Sequence, residues 1–590
     1  METAVITRSF DTVKRHLMYV AVRDYRPFNI SAGVGMKDMI VGLTGQAKVA
    51  SPGTLKNEMM AEHAAKSIQL RRFLQERVDY HFLIIDGRKD PVHGYPNFAL
   101  IVVAACRLSN KHIQVPLRVV RPISKTAEVQ AASIREMYRD FATVLDFTKL
   151  LAIVGDGADK ATADKLQKDF LVCFGHCTAN DAKNALIKVD LYRKKKTPNV
   201  NDALINKTAK MIRRVKNRYK LNMEYDRLRN IHNAEHPNEP QINRLKLFCV
   251  TRLLGAVGTI DSVVTALPVL LEMQRMADAQ RRTDPWKAWV HLNRSELSVL
   301  KELAPMLRPM EQMMTDAGAA HHLTLSSVYF AQYEQLYRMV HSPEPRQPVV
   351  VSLKEELSGS LRVRLEEYRK SPLVASCTLL HPFFRNFRSL PAVATEDEKT
   401  RFEPLFRYIS AEKIQVKHSE NNIEEVFLVD HWKHILCHWV RARFSRWWQD
   451  NVEKPDPLTH SYGRISQTTF YNELTFFLSA PPHMMQVHHD TDLLSFWRDA
   501  KNTFPLVSWV ATRLVVCPAT SFSVERLWSA VGRVLDKRRA ALRYDTMEAQ
   551  VLLHELYCFA ERFGEGAEAL LFRADEKPRE MDQVDQVFSE

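Results

Sequence analysis

Short apolar runs dominate residues 81–174, and long amphipathic stretches dominate everything after them. His81-Phe82-Leu83-Ile84-Ile85-Asp86 is the first run and ends in an acid. Phe98 to Cys106 is the second, and Ile113 to Val120 the third. Their length and β-branched content predict adjacent buried strands. Residues 124–147 carry helical spacing. Leu150-Leu151-Ala152-Ile153-Val154-Gly155-Asp156 reads as a fourth strand, again ending in an acid. A helix near 158–168 and a strand at Phe170–Phe174 follow, giving the order β-β-β-α-β-α-β-α. Upstream, residues 1–80 read as helices and loops, with a long helix from Leu55 to about Val78. From about 195 to 510 the pattern is mostly helical, with proline-bearing breaks near 236–240, 343–348, 381–382, 455–457 and 481–482. Two helices close the pattern over 517–560.

Length changes this picture first. A chain of 590 residues can bury a large core and suggests roughly three to five domain-sized units. Its apolar share of 45% and charged share of 26% fit a globular protein. No apolar run reaches membrane-spanning length, and the N-terminus lacks the features of a secretory signal. The eight cysteines are scattered without a CxxC pair. That favours reduced thiols over a disulfide framework or a conventional zinc finger.

The net charge of +14 is concentrated. Arg193 to Lys246 holds 15 basic against 5 acidic residues, whereas Glu565 to Glu590 holds 3 basic against 8 acidic. The acidic tail has little periodicity and is expected to be disordered. The basic stretch favours a polyanionic partner, nucleic acid above all. A solvated helical face is the plainer alternative. Arg193-Lys194-Lys195-Lys196 is a candidate nuclear-import or phosphate-contact run. Arg213, Arg214 and Lys216 extend it on a helix, suited to positioning a DNA backbone without reading sequence.

Acids at neighbouring strand ends, facing a third on a helix, could hold divalent cations for phosphodiester cleavage. Asp86 and Asp156 occupy such ends. Taken singly, each also reads as a turn-forming Asp before Gly. A third acid, Glu525, lies on the first turns of a predicted helix, after the small residues Ala519, Thr520, Ser521 and Ser523.

The segment Cys517-Pro518-Ala519-Thr520-Ser521-Phe522-Ser523-Val524-Glu525-Arg526-Leu527-Trp528-Ser529-Ala530, followed by Arg538-Arg539-Ala540-Ala541-Leu542, resembles the C-terminal dimerisation region of hAT-superfamily DNA transposases. The resemblance implies an α/β, ribonuclease-H-like catalytic core interrupted by a large all-helical insertion, with a helical C-terminal dimerisation region. Ile84-Ile85-Asp86-Gly87 and Ile153-Val154-Gly155-Asp156-Gly157-Ala158 resemble the contexts of that family's other acids. Asp86, Asp156 and Glu525 are then the expected catalytic and metal-binding residues, holding two Mg2+ or Mn2+ ions. The implied activity is DNA strand cleavage and transfer in the nucleus, by a homodimer or higher oligomer. A domesticated, non-cutting DNA-binding dimer is the alternative.

On this basis 1–80 is a helical lead-in and 81–194 the first part of the core. Residues 195–510 form the insertion, with the basic segment 193–246 at its start. Residues 511–562 carry the last catalytic helix and the dimerisation region, and 563–590 the acidic tail. No zinc-binding finger of the kind that usually starts such transposases is seen before residue 80.

Further expectations concern contacts. Cys173-Phe174-Gly175-His176 resembles the family's Cys-x-x-His near the active site, so Cys173 and His176 are candidates for DNA contact. A buried Cys with a hydrogen-bonded His is equally open. Thr251-Arg252 aligns with a Thr-Arg-Trp, and Arg252 is a DNA-contact candidate, but Leu253 stands where the stacking aromatic is expected. His431, His434 and His438 share a helical face, yet Trp432, Trp439 and Phe444 nearby favour an aromatic core helix over a metal site. Arg441, Arg443 and Arg446 on that helix are candidate phosphate contacts. Met547, Val551, Leu552 and Leu556, with Leu542 and Phe559, give a partly apolar helical stripe, which together with Leu527 is offered for dimerisation, packing within the monomer being the alternative. Neither a G-x-x-x-x-G-K-[ST] nor a G-x-S-x-G motif is present.

Overall fold

The apolar runs form one five-stranded sheet, and the rest of the chain is mostly helical. This computed structural model describes residues 10–44, 49–89, 96–122, 124, 126–193, 202–247, 256–280, 286–319, 324–385, 396–397, 399–400, 403, 427–449, 452, 469–480, 487–488, 491–535, 542–564, 567 and 570. Three helices come first: α1 (Phe10–Arg23), α2 (Val34–Thr44) and α3 (Pro52–Arg77). α3 begins where Ser51 accepts from Thr54 N–H and proline follows at the first position. Strands β1 (His81–Lys89), β2 (Pro96–Ala105) and β3 (His112–Val120) follow. Then come α4 (Ala127–Asp140), β4 (Leu150–Gly155), α5 (Lys160–Leu166) and β5 (Asp169–Val172).

The strand order is β3-β2-β1-β4-β5. β1, β2 and β3 pair antiparallel, as short connections allow. β4 joins β1 in parallel after the chain crosses through α4, and β5 joins β4 in parallel after α5. Two expected boundaries move. The helix over 124–147 ends at Asp140, where Phe141 leaves helical geometry, and Asp146 caps a separate 3-10 turn by accepting from Thr148 N–H. β1 runs past Asp86 to Lys89, since these residues still pair with β2, whereas the pairing with β4 stops at Ile84.

Strand alternation sorts the two faces. Leu83, Ile85, Phe98, Leu100 and Val102 share one core with Phe73 of α3, Ile134 and Met137 of α4, and Phe559 and Phe563. The last two belong to the closing helix, Tyr544–Phe563. Each such large side chain contributes roughly 1.5–3 kcal/mol on burial. The closing helix presents a second stripe: Ala549, Leu553 and Tyr557, spaced by four, pack with Val13, Leu17, Leu55 and Met59. The helix Phe522–Val534 packs on β1 and β2, and none of its buried side chains joins the first core. It therefore lies on the other face, that of Phe82 and Ile84.

Cα packing divides the chain into two units. One comprises Met1–Cys173, Cys437–Phe477 and Asp490–Glu590 and contains the sheet. The other comprises Phe174–Leu436 and Leu478–His489, so the stretch 195–510 contributes to both. The second unit begins with α6 (Phe174–Lys188), α7 (Leu204–Asn217) and α8 (Tyr219–Glu235). It also holds an aromatic cluster in which Phe330 stacks on Phe384 and Tyr329 meets the edge of Trp432.

Candidate functional site

Asp86 and Asp156 are placed by strand register. Ile84 pairs with Val154 in the parallel β1–β4 ladder. Asp86 and Asp156 each lie two residues beyond that pair, Asp86 still within β1 and Asp156 just past the end of β4. Neighbouring strands lie about 4.8 Å apart. By alternation both acids fall on the face of Ile84 and Val154, which is the face that the helix Phe522–Val534 covers. Glu525 sits in the first turn of that helix, where the helix dipole favours an acid. All three acids are half-buried.

Cys173 ties the three segments together. Its backbone N–H donates to Gly155 O at 2.7 Å, immediately before Asp156. Its buried sulfur accepts from Ser521 N–H at 3.1 Å. Ser521 O in turn accepts from Val524 and Glu525 N–H, which opens the Glu525 helix. The small run before that helix explains the approach: Ala519 and Ser521 are buried, and larger side chains there would hold the segment off Cys173. Cys173 is thus a structural tie between acid-bearing segments.

Gly155 and Asp159 hold the Asp156 turn. The Asp159 carboxylate, itself buried, accepts from Asp156 N–H at 3.1 Å. A Cβ on Gly155 would come within 2.9 Å of that carboxylate and 3.1 Å of Ile85 Cγ1. Only glycine allows β4, β1 and the turn to meet so closely. Gly155 belongs to the motif around Asp156, and the Asp-x-x-Asp spacing of 156 and 159 is the capping-box signal that would have found Asp159.

Asp86, Asp156 and Glu525 are hard-oxygen donors of the type that Mg2+ and Mn2+ take. Among the described residues, however, no group of three His, Cys, Asp or Glu side chains is set to hold a metal ion. The backbone brings the acid-bearing segments together without closing the side chains into a cage.

The remaining sequence candidates divide. His176 is half-buried in the first turn of α6. Arg193 is turned into its own loop, where its guanidinium donates twice to Asp190 at 2.6 Å. Arg213 and Lys216 are exposed and Arg214 is half-buried. Lys194, Lys195, Lys196, Arg252 and Leu253 lie outside the described residues, as does the acidic tail beyond Leu570. Arg443 pairs with Asp169, which also accepts from Trp439 Nε1 at 3.3 Å, so that arginine is engaged within the protein. Trp432, Leu436, Val440 and Phe444 are buried while His434 and His438 are exposed, as a core helix requires. No disulfide joins the seven described cysteines.

The stripe offered for dimerisation is covered within one chain. Leu527, Val551, Leu552 and Leu556 are buried, and Leu542 is half-buried. Leu556 joins the core beneath the sheet. Nearby, Glu473 accepts from Leu506 and Val507 N–H at 3.3 and 2.7 Å, capping the helix Pro505–Leu514. Burial pushes its carboxyl up to about 7. Among the described residues no single helix is long and apolar enough to cross a membrane.

Residues 473–557 match the family model of the hAT family C-terminal dimerisation region. The match begins at Glu473 and takes in Glu525 and most of the closing helix. No curated protein matches the chain.

Proposed function

We propose that the chain, whose residues 473–557 match the hAT family C-terminal dimerisation region, is an hAT-type transposase or derivative that cuts and transfers DNA strands with Asp86, Asp156 and Glu525. The matched region supports self-association. The observation that carries the proposal is the tie through Cys173, which joins the Asp156 turn to the Glu525 helix on the face that Asp86 shares. The strand order β3-β2-β1-β4-β5, with β4 and β5 parallel to β1, supports a ribonuclease-H-like core.

In this proposal Asp86, Asp156 and Glu525 would hold Mg2+ or Mn2+. When bound, such ions make an attacking water more acidic and stabilise charge on the leaving oxygen. The chain supplies the rest. Gly155 and Asp159 fix the backbone at Asp156, and Cys173 fixes the start of the Glu525 helix. In cleavage the water oxygen bonds to phosphorus, the phosphorus–oxygen bond to the leaving sugar breaks, and that sugar oxygen takes up a proton. Exposed cations such as Arg213 and Lys216 would hold DNA phosphates, and the nucleus is the compartment where this substrate resides.

A domesticated DNA-binding dimer is the second reading, and Leu253 favours it, since leucine cannot stack on a base as an aromatic does. Nicking of supercoiled plasmid with Mg2+ or Mn2+ separates the two. Cleavage is expected from the wild type and is expected to vanish in Asp156→Asn and Glu525→Gln. Binding without cutting by the wild type, on DNA with and without element ends, would favour the second reading. Cutting that survives both substitutions would remove the carboxylate site.

A further inference from the structure

Folding neutralises part of the basic stretch 193–246 and leaves another part together. Arg193 is held by Asp190, Lys207 by Glu296, Lys210 by Asp202, Arg227 by Glu224 and Arg229 by Asp226. Arg213, Lys216 and Lys220 are exposed and have no ion pair among the described residues. These three bracket the junction of α7 and α8. There Arg218 takes an extended backbone, φ −104° and ψ 111°, between the two helices.

Tyr219 opens α8 at that junction and is 77% exposed. Met223, one turn on, is 53% exposed. The phase of the helix explains both. Leu221 and Tyr225 are buried, and Tyr225 Oη is fixed by donating to Asn243 O at 2.8 Å. At 3.6 residues per turn, positions 219 and 223 then face the opposite way. The result is an exposed aromatic ring with an apolar thioether one turn on and, among the described residues, cations without an ion pair before and after it in the chain.

An unpaired nucleic-acid base offers a flat face to such a ring, and its flanking phosphates suit the cations. A base stacked inside a duplex offers no face, and an acidic peptide would use the cations without needing the ring. We propose that the α7–α8 junction binds an unpaired nucleic-acid strand, with Tyr219 stacking on a base and Arg213, Lys216 and Lys220 on neighbouring phosphates. This rests on the nucleic-acid reading above and adds to it the strand form and the residues that recognise it.

The test is fluorescence anisotropy of the full chain with a short labelled single-stranded DNA and with its duplex, over a salt series. Tyr219→Ala is expected to weaken the single strand roughly tenfold, to change the duplex far less, and to leave the salt slope unchanged. Tyr219→Phe is expected to keep wild-type affinity, because the ring does the stacking. Lys216→Ala is expected to lower the single-strand salt slope by about 0.7. Tyr219 is exposed, so its loss leaves the core intact, and a thermal melt verifies this.

Equal single-strand affinity of the wild type and Tyr219→Ala would overturn the inference, as would an equal loss on duplex. So would displacement of the strand by polyglutamate at lower concentration than by unlabelled DNA. If this inference fails while plasmid nicking still depends on Asp156, only the inference falls. If the wild type binds no nucleic acid at any salt, both fall.

Discussion

At the scale of single residues, the site depends on positions that carry no chemistry of their own. Gly155 is the clearest case, because a methyl group there meets the Asp159 carboxylate on one side and Ile85 on the other. Gly155→Ala is expected to cost about 1–3 kcal/mol by overpacking, read as a lower urea midpoint with an unchanged slope. A variant as stable as the wild type would show that the turn has room to move. An acid closing a buried apolar run stands out in sequence, although β1 runs on past Asp86 to Lys89. Asp159 does not, because a polar residue in a short turn has many ordinary explanations and its burial emerges only on folding. Cys173 was legible as a residue of interest but not in its role. A sulfur accepting a backbone N–H from Ser521 joins positions far apart in the chain, and no local pattern records it.

Among the elements, β1 is held at its start by a buried histidine. His81 is fully buried, and its Nε2 lies 2.7 Å from the Tyr138 hydroxyl on α4. Burial pushes its imidazole down to about 4. A depressed histidine contributes stability in full above its unfolded value of about 6.5 and loses it as pH falls through about 4. The contribution is on the order of 3 kcal/mol. Urea unfolding at several pH values between these limits is expected to show wild-type stability falling with acid. His81→Phe is expected to show a shallower fall, with a loss of about 1–3 kcal/mol at neutral pH from the orphaned Tyr138 hydroxyl. Parallel pH profiles for the two proteins would contradict this. Element types followed well from apolar periodicity, and the expected order over 81–174 matches the observed one. Boundaries followed less well. Strand pairing on one side carried β1 past Asp86, and α4 ended at Asp140, ahead of a separate turn capped by Asp146.

For the whole molecule, the closing helix decides what a dimer can use. Its apolar stripes already pack against the sheet and against the N-terminal helices within one chain. Leu556→Ala is therefore expected to cost about 2–5 kcal/mol of stability. Self-association, measured by light scattering below the shifted midpoint, is expected to persist. A variant that stays as stable as the wild type but runs as a monomer would place Leu556 at the contact between chains. Periodicity identified that helix as apolar, but an apolar stripe looks the same whether its own chain or a second one covers it. The sequence was enough to establish the strand and helix order over 81–174 and the location of the basic stretch, because spacing, residue type and charge are local properties. Folding settled which cations stay unpaired at the α7–α8 junction, which face Asp86 shares with the Glu525 helix, and what covers Val551 and Leu556. Those outcomes depend on contacts between residues far apart in the chain, where register and packing choose the partner.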